Sequence, residues 1–449
     1  MSINSTVTLS EPQYLTNSER PKNPPTKEEL KLPPLFDGPV TRENWYKHVD
    51  WVNVPILVLS PLIGLYGIMT TELVPKTLIW TIVYYIITGI SITAGYHRYF
   101  SHRAFTASPA LQWIIAFTGG GAVQGSISWW ARGHRAHHRY TDTDKDPYNS
   151  HRGFWYAHLG WMIFKRSKDR VGRADVADLK ANKIVQFQHK NYPWFALGMG
   201  IIFPWVVAGL GWGDWRGGYF YAGVVRMVLC HHATFCINSL AHWLGSASFD
   251  DAHTPRDNFI TALVTMGEGY HNFHHEFPQD YRNALKFYQY DPTKWLIKAL
   301  SYVGLAYDLK ECPENEIKKG KIHMTQKKLD RMKRDVKWGK PLKELSVVSW
   351  DEYQDAVTTK GQKWLLIEGI LYDVADFITE HPGGESYIKY GIGKDMTAAF
   401  NGGMYNHSNA ARNMLSRMRV GVLSGGMEVE SMKANPNEVV YEDSVKKEN

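Results

Sequence analysis

Apolar positions gather into four stretches, 52–70, 77–95, 193–213 and 217–243. Each is close to the ~20 helical residues that cross a hydrocarbon core. The first three carry no charged residue, and the fourth carries Arg226, His231 and His232. The pattern therefore predicts four membrane-spanning helices. A further uncharged run at 111–130, LQWIIAFTGGGAVQGSISWW, is excluded as a fifth span on two grounds. Gly119, Gly120 and Gly121 interrupt a helix there, and a crossing would put the histidines that precede it and those that follow it on opposite sides of the bilayer. A buried or interfacial hairpin is predicted instead.

The polar segments set the orientation. Mean hydropathy over the whole chain is -0.34, so long polar stretches must alternate with the spans. Residues 97–190 hold fifteen basic residues against six acids, whereas the turns after the first and third spans offer only Lys76 and Arg216 as cations. Lysine and arginine stay on the cytosolic side, so the long loop and both termini are expected there. The opening segment lacks the basic and then apolar pattern of a secretory signal, and residues 1–38 are expected to form a disordered polar tail. Cys230, Cys236 and Cys312 make no CxxC pair, which argues against a disulfide framework or a zinc ribbon.

Nine histidines then change the picture from membrane protein to metalloprotein. They are His97 and His102 in HRYFSH, His134, His137 and His138 in HRAHH, His242 in NSLAH, and His271, His274 and His275 in HNFHH. Imidazoles this dense beside membrane spans are costly to bury unless a metal coordinates them. On a helix His134, His137 and His138 share a face, and HNFHH repeats the spacing, so each trio is predicted to converge on one point. The spacing between His97 and His102 fits no single α-helical face and predicts a helix end or turn between them. Nine imidazoles exceed the coordination number of one first-row ion, so two ions are expected, without the Glu-x-x-His pairs of soluble di-iron bundles. The single histidines His151, His158, His189 and His253 are expected to be structural, as are His231 and His232. Arg226, near the middle of the fourth span, requires a buried carboxylate, carbonyl or water partner.

In order and spacing, HRYFSH, HRAHH, NSLAH and HNFHH resemble the histidine boxes of the membrane acyl-CoA Δ9 desaturases, the stearoyl-CoA desaturase family, over roughly Pro39 to Asp308. The resemblance implies a di-iron centre of two Fe held by those nine histidines, with Asn238 holding a water near one iron. Asn238 and His242 are four apart on the fourth span, which independently places them on one face. It further implies a saturated acyl-CoA substrate, palmitoyl-CoA or stearoyl-CoA, with the thioester at the cytosolic face. Asn53, Trp130, Arg132, Lys165 and Arg166 match positions that contact CoA or the acyl carbonyl region, where cations meet phosphates as charge-assisted pairs. Gly133 stands where animal members have an aspartate, so one polar contact to the headgroup is missing. Tyr84 and Tyr85, about three turns before His97, are candidates for limiting chain length, and packing explains them equally well.

A second chemistry lies near the end of the chain. HPGG at His381 to Gly384 and HSNAA at His407 to Ala411 resemble the two haem-ligand loops of cytochrome b5, over about Ser346 to Leu423. His381 and His407 are then the implied axial ligands of a haem b. Two histidines without CxxCH imply a non-covalent, six-coordinate haem suited to electron transfer. Residues 318–343 hold eleven basic residues and two acids, and Leu329, Met332 and Val336 fall on one helical face, which fits either a lipid-surface helix or a solvated linker.

The expected architecture is an all-α membrane domain at 39–312, with four transmembrane helices and a cytosolic helical cap holding the histidine-rich di-iron site. A basic linker at 313–345 leads to a small α+β cytochrome b5-like haem domain at 346–423, and 424–449 forms a disordered tail. By resemblance to the fungal type with its fused haem domain, the chain inserts a cis double bond between C9 and C10 of an acyl chain. O2 is the oxidant, and electrons come from NADH through a cytochrome b5 reductase. No GxGxxG follows a predicted strand, so NADH is expected to bind the partner. Endoplasmic reticulum membrane is the expected location, and no nucleic-acid partner is expected. Two alternatives stay open: a histidine-box lipid hydroxylase, and a membrane-anchored haem electron carrier.

Overall fold

The computed structural model describes residues 32–36, 38–167 and 170–425, and the tails expected at 1–38 and 424–449 fall largely outside them. The chain divides into two compact units, Met1–Met324 and Thr325–Asn449.

In the first unit, four helices among the described residues are long and apolar enough to cross a membrane. They are α1 (Asn53–Thr70), α2 (Pro75–Ser101), α5 (Tyr192–Trp212) and α6 (Trp215–His242), with α3 (Pro109–Gly120) and α4 (Ile127–Tyr140) between the two pairs. The hydropathy pattern places three of these within about two residues of their observed ends. The second runs six residues further than the predicted 77–95, because its last stretch, Ser91–Ser101, continues as a π-helix. Polar groups at Arg98 and His97 end the apolar signal there while the backbone hydrogen bonds carry on.

Large side chains such as Leu59, Leu62, Leu65 and Met69 remain exposed on α1, as expected of a surface that meets lipid rather than water. Gly64 and Gly67 face inward on the same helix. A Cβ on Gly67 would stand 2.4 Å from the Phe220 ring, so glycine is what lets α1 approach α6 this closely.

The excluded fifth span is two helices. Pro109 starts α3 and the Ser108 side chain accepts from the Leu111 amide, while Ser126 caps α4 by accepting from the Trp129 amide. At twelve residues α3 is about 18 Å long, too short for a ~30 Å core. Beyond α6 the cap is built from α7 (Phe259–Val264), α8 (His271–Glu276) and α9 (Pro292–Tyr302). A two-residue antiparallel pairing of β1 (Thr106–Ala107) with β2 (Ala306–Tyr307) ties the segment after α2 to the end of the cap.

The segment expected to be a basic linker is largely a 21-residue helix, α10 (Glu314–Arg334), and Val336 lies past its end rather than on its face. The second unit is built on a four-stranded sheet of β3 (Ser346–Val348), β4 (Trp364–Ile367), β5 (Ile370–Asp373) and β6 (Arg419–Leu423), in the order β3-β6-β5-β4. Only the β3–β6 pairing is parallel. Leu365, Ile367, Tyr372 and Val422 form its core with Phe400.

Candidate metal centre

The wide turn at the end of α2 settles the odd spacing of the first box. The His102 amide donates to the His97 carbonyl, five residues back, at 3.1 Å, and the two imidazole centroids are 4.8 Å apart. An α-helix would point these side chains apart, and the extra residue per turn of a π-helix points them together. The expected helix end between them is therefore replaced by a change of helix type, with His102 as the cap.

The nine histidines form two clusters. His97, His102, His134, His138 and His274 make one, and His137, His242, His271 and His275 make the other, with the ligand atoms of each within 4.8 Å of one another. The expectation that HRAHH and HNFHH each converge on one point is corrected: each box serves both clusters. Residues four apart on a helix diverge by about 40° and stay together, whereas the third member lies about 60° to the other side. His134 and His138 thus share one cluster and His271 and His275 the other, while His137 and His274 cross over.

Within the clusters the Nε2 atoms face one another in pairs. The contacts are His97–His274, His102–His134, His138–His274, His137–His275, His242–His271 and His271–His275, at 2.8 to 3.3 Å. Burial first, and then the neighbouring imidazoles, push His102, His134, His138, His271, His274 and His275 well below the usual histidine range. The rings are therefore neutral, the state in which an imidazole nitrogen can bind a cation. Two metal–nitrogen bonds of about 2.1 Å set at a right angle put their nitrogens about 3.0 Å apart, which matches the observed edges. The donor set, nitrogen only and facing inward, fits two first-row ions.

Around the ligands stand groups that sequence reasoning missed. His97 Nδ1 donates to Glu268 Oε2 at 2.9 Å, and His137 Nδ1 donates to Asp146 Oδ1 at 2.8 Å. His242 Nδ1 meets Thr254 Oγ1 at 2.8 Å, and that hydroxyl donates to Asp142 at 2.6 Å. Each contact fixes the tautomer that leaves Nε2 free for a metal. Glu268 is fully buried with Arg98, which also holds Asp291. Burial alone would raise the Glu268 carboxyl, but Arg98 and His97 outweigh it and hold it down to about 2.

A cavity of about 410 Å³ reaches this centre, with His97, His134, Glu268 and Asn238 in its wall. Its other walls are largely apolar, with Ile56, Leu57, Ile92, Val123 and Phe235 among them. Asn53 and Trp130 line it, and Trp130 also stacks on His134 at 5.0 Å. Arg132, Lys165 and Arg166 do not. Arg132 and Lys165 are exposed, and Arg166 is taken up by the backbone carbonyls of Asp144, Asp146 and Arg170. Tyr84 and Tyr85 are not in the wall either; Tyr84 is buried, with its hydroxyl donating to the Met199 carbonyl at 2.5 Å. At Gly133 an added Cβ would lie 3.0 Å from the Tyr148 hydroxyl.

The other histidines singled out in the sequence have partners away from the two clusters, and His189 and His231 also line the cavity. His231 Nε2 lies 3.0 Å from the carbonyls of Ala122 and Val123, His158 pairs with His232 at 3.0 Å, and His189 bonds Ser126 at 2.6 Å. His151 and His253 flank Asp142 at 3.8 and 3.7 Å.

In the second unit His381 and His407 face each other, with ring centroids 6.4 Å apart and planes 25° from parallel. His381 Nδ1 donates to the Gly384 carbonyl and His407 Nδ1 to the Phe400 carbonyl, both at 3.0 Å. Both rings therefore keep Nε2 for an axial bond. Gly383 is required here, because its Cβ would lie 2.8 Å from His381 Cε1.

Comparison with known proteins likewise finds two parts in the chain. Residues 75–310 match the family described as fatty acid desaturase, and residues 349–424 match the cytochrome b5-like heme/steroid binding domain. The "Probable acyl-CoA desaturase" of Schizosaccharomyces pombe is 51% identical over 92% of this chain and 86% of its own length. "Acyl-CoA desaturase 1" of Saccharomyces cerevisiae is 46% identical over 93% of the chain and 82% of its own length. The "Stearoyl-CoA desaturase" of Sus scrofa is 35% identical over 67% of the chain and 84% of its own length.

Proposed function

The chain belongs to the fatty acid desaturase family, and from that premise we propose that it is an acyl-CoA Δ9 desaturase, converting palmitoyl-CoA or stearoyl-CoA to the cis-9 product. The carrying observation is the apolar cavity that passes directly beside His97 and His134. An unactivated methylene offers no charge to grip, so position along a tunnel must choose the carbon.

The nine histidines are the proposed ligands of two irons, with Asn238 holding a water beside one of them. When bound, that pair supplies activation of O2 and the oxidising power to remove hydrogen from C9 and C10. The protein's own part is positional. Glu268 and Asp146 hold the Nδ1 protons of His97 and His137, so that neutral Nε2 atoms point inward. Ile56, Leu57 and Phe235 hold the acyl chain and keep water out. Asn53 and Trp130 sit where the chain passes. Arg132, two residues beyond Trp130, and Lys165, three beyond the cavity-lining Met162, are proposed to meet the CoA phosphates, and Arg166, held by the carbonyls of Asp144, Asp146 and Arg170, to shape that face rather than to bind them directly.

Electrons from NADH are proposed to arrive through a cytochrome b5 reductase at a haem b held by His381 and His407. The overall change takes two hydrogens from the acyl chain, two electrons and two protons, and reduces one O2 to two waters. The proposed domains are 39–312 for desaturation and 346–423 for haem. The basic segment 97–190 favours both termini on the cytosolic side, and an endoplasmic reticulum membrane is proposed from the family.

The test is the fatty-acid profile of a desaturase-deficient host expressing either this chain or its His137→Ala copy. The expected result is Δ9-monounsaturated acids from the intact chain alone. Hydroxy acids, or an unchanged profile beside a normal bis-histidine haem spectrum, would overturn the proposal.

A further inference from the structure

Every ligand atom in both clusters belongs to an imidazole, so two divalent ions bring their full charge into a buried site. Burying charge is costly unless counter-charge is close, and the carboxylates behind the ligands supply it unequally. At the five-histidine cluster, Glu268 stands behind His97 at 2.9 Å. Its charge is already taken by Arg98 at 2.8 Å, and Asp291, the second carboxylate on Arg98, caps the helix that carries the buried Lys294. Arg98 thus bridges both anions, and Lys294, whose Nζ donates to the Ala284 and Lys286 carbonyls, adds a second cation nearby.

The four-histidine cluster is different. Asp146 stands behind His137 at 2.8 Å, 1% exposed. Its other hydrogen bonds come from the backbone amides of Asp142 and Tyr148 at 3.0 and 2.9 Å, and among the described residues no lysine or arginine is ion-paired with its carboxylate. A second carboxylate, Asp142, reaches His242 through the Thr254 hydroxyl. The cluster with one ligand fewer thus has two carboxylates behind it; Asp142 also meets His151 and His253 at 3.8 and 3.7 Å, while Asp146 pairs with no lysine or arginine among the described residues.

We infer that Asp146, through His137, and Asp142, through Thr254 and His242, make the four-histidine site the more electron-rich of the two, so that its metal has the lower reduction potential. Negative charge placed behind an imidazole raises its donor strength and stabilises the higher oxidation state of the ion it binds. Asp146 is a positioning residue in this scheme. The inference rests on the clusters being the two iron sites.

The experiment uses the full-length iron-loaded chain in nanodiscs, as wild type, D146N, T254V and E268Q, with iron per chain, Mössbauer spectra and a potentiometric titration as readouts. Folding is followed by a thiol-reactive dye, because Cys230 is buried until the chain opens. Wild type is expected to show two iron components titrating at separate potentials. D146N should raise the lower potential, narrow the gap and weaken iron at that site by about ten-fold or more. T254V should act on the same component in the same direction, and E268Q on the other. Two components that titrate together in wild type would overturn the inference, as would an unaltered gap in D146N and T254V. If D146N fails to fold, the T254V result decides. A wild-type chain that takes up no iron pair would instead overturn the metal reading, and the inference with it.

Discussion

Arg226 donates to the carbonyl of Gly121 at 2.7 Å, joining the fourth span to the turn that follows α3. The same guanidinium donates to the carbonyls of Gly200 and Ala222, at 2.6 and 3.1 Å, and lies 5.0 Å from the Tyr84 ring centroid. A cation inside a span is here a three-way brace among α5, α6 and the turn before α4, paired with backbone oxygens rather than with an acid.

Arg226→Leu should therefore destabilise the membrane unit by roughly 1–3 kcal/mol for each carbonyl it leaves unpaired. Arg226→Lys should recover part of the loss, since an ammonium still donates but lacks the fork. Unfolding followed through exposure of the buried Cys230 measures both. A leucine variant as stable and active as wild type would contradict the brace.

The π-helical end of α2 makes its own prediction. One alanine inserted after Tyr99 rotates His102 away from His97 by about 100°. Iron content and desaturation should fall together, while the haem absorption spectrum stays that of wild type. Retained iron would show that the wide turn is dispensable.

Acid should destabilise the metal-free chain below a pH of about 6.5. His102, His134, His138, His271, His274 and His275, held well below the usual range, stay neutral when folded, whereas the unfolded chain takes up protons on them. Unfolding then binds protons, so stability falls as pH falls, by at most about 1.4 kcal/mol per pH unit for each group. Thermal unfolding of chelator-treated protein from pH 8 to pH 5.5 checks the sign. A melting temperature that rises with acid would refute it.

Removing residues 345–449 should stop turnover with NADH and reductase, and leave iron content unchanged. Added soluble cytochrome b5 should restore it. Undiminished turnover without any added haem protein would show that the haem unit is not the donor.

Much of this is legible in the sequence. Spans are written in consecutive apolar residues, and His134, His137 and His138 are neighbours in sequence. What the sequence hides is whatever depends on contacts across the fold. Glu268 reaches a pocket that also holds Arg98, 170 positions away, and Asp142 reaches Thr254 across 112. No spacing rule connects such pairs. The sharing of HRAHH and of HNFHH between two clusters was also hidden, because it turns on which side of a helix faces which partner. So was the reach of α2, where polar side chains ended the hydropathy signal although the helix continued. Asn53 and Trp130 meet the cavity, whereas Tyr84 and Tyr85 do not line it, and Tyr84 packs with its hydroxyl on the Met199 carbonyl.

That both units lie on one chain bears on supply as well as on mechanism. A donor and an acceptor made as separate proteins meet at a rate that depends on how much of each the cell makes. Here their stoichiometry is fixed by translation, and their encounter depends on the tether between them rather than on bulk concentration. Dilution in the membrane separates neither from the other.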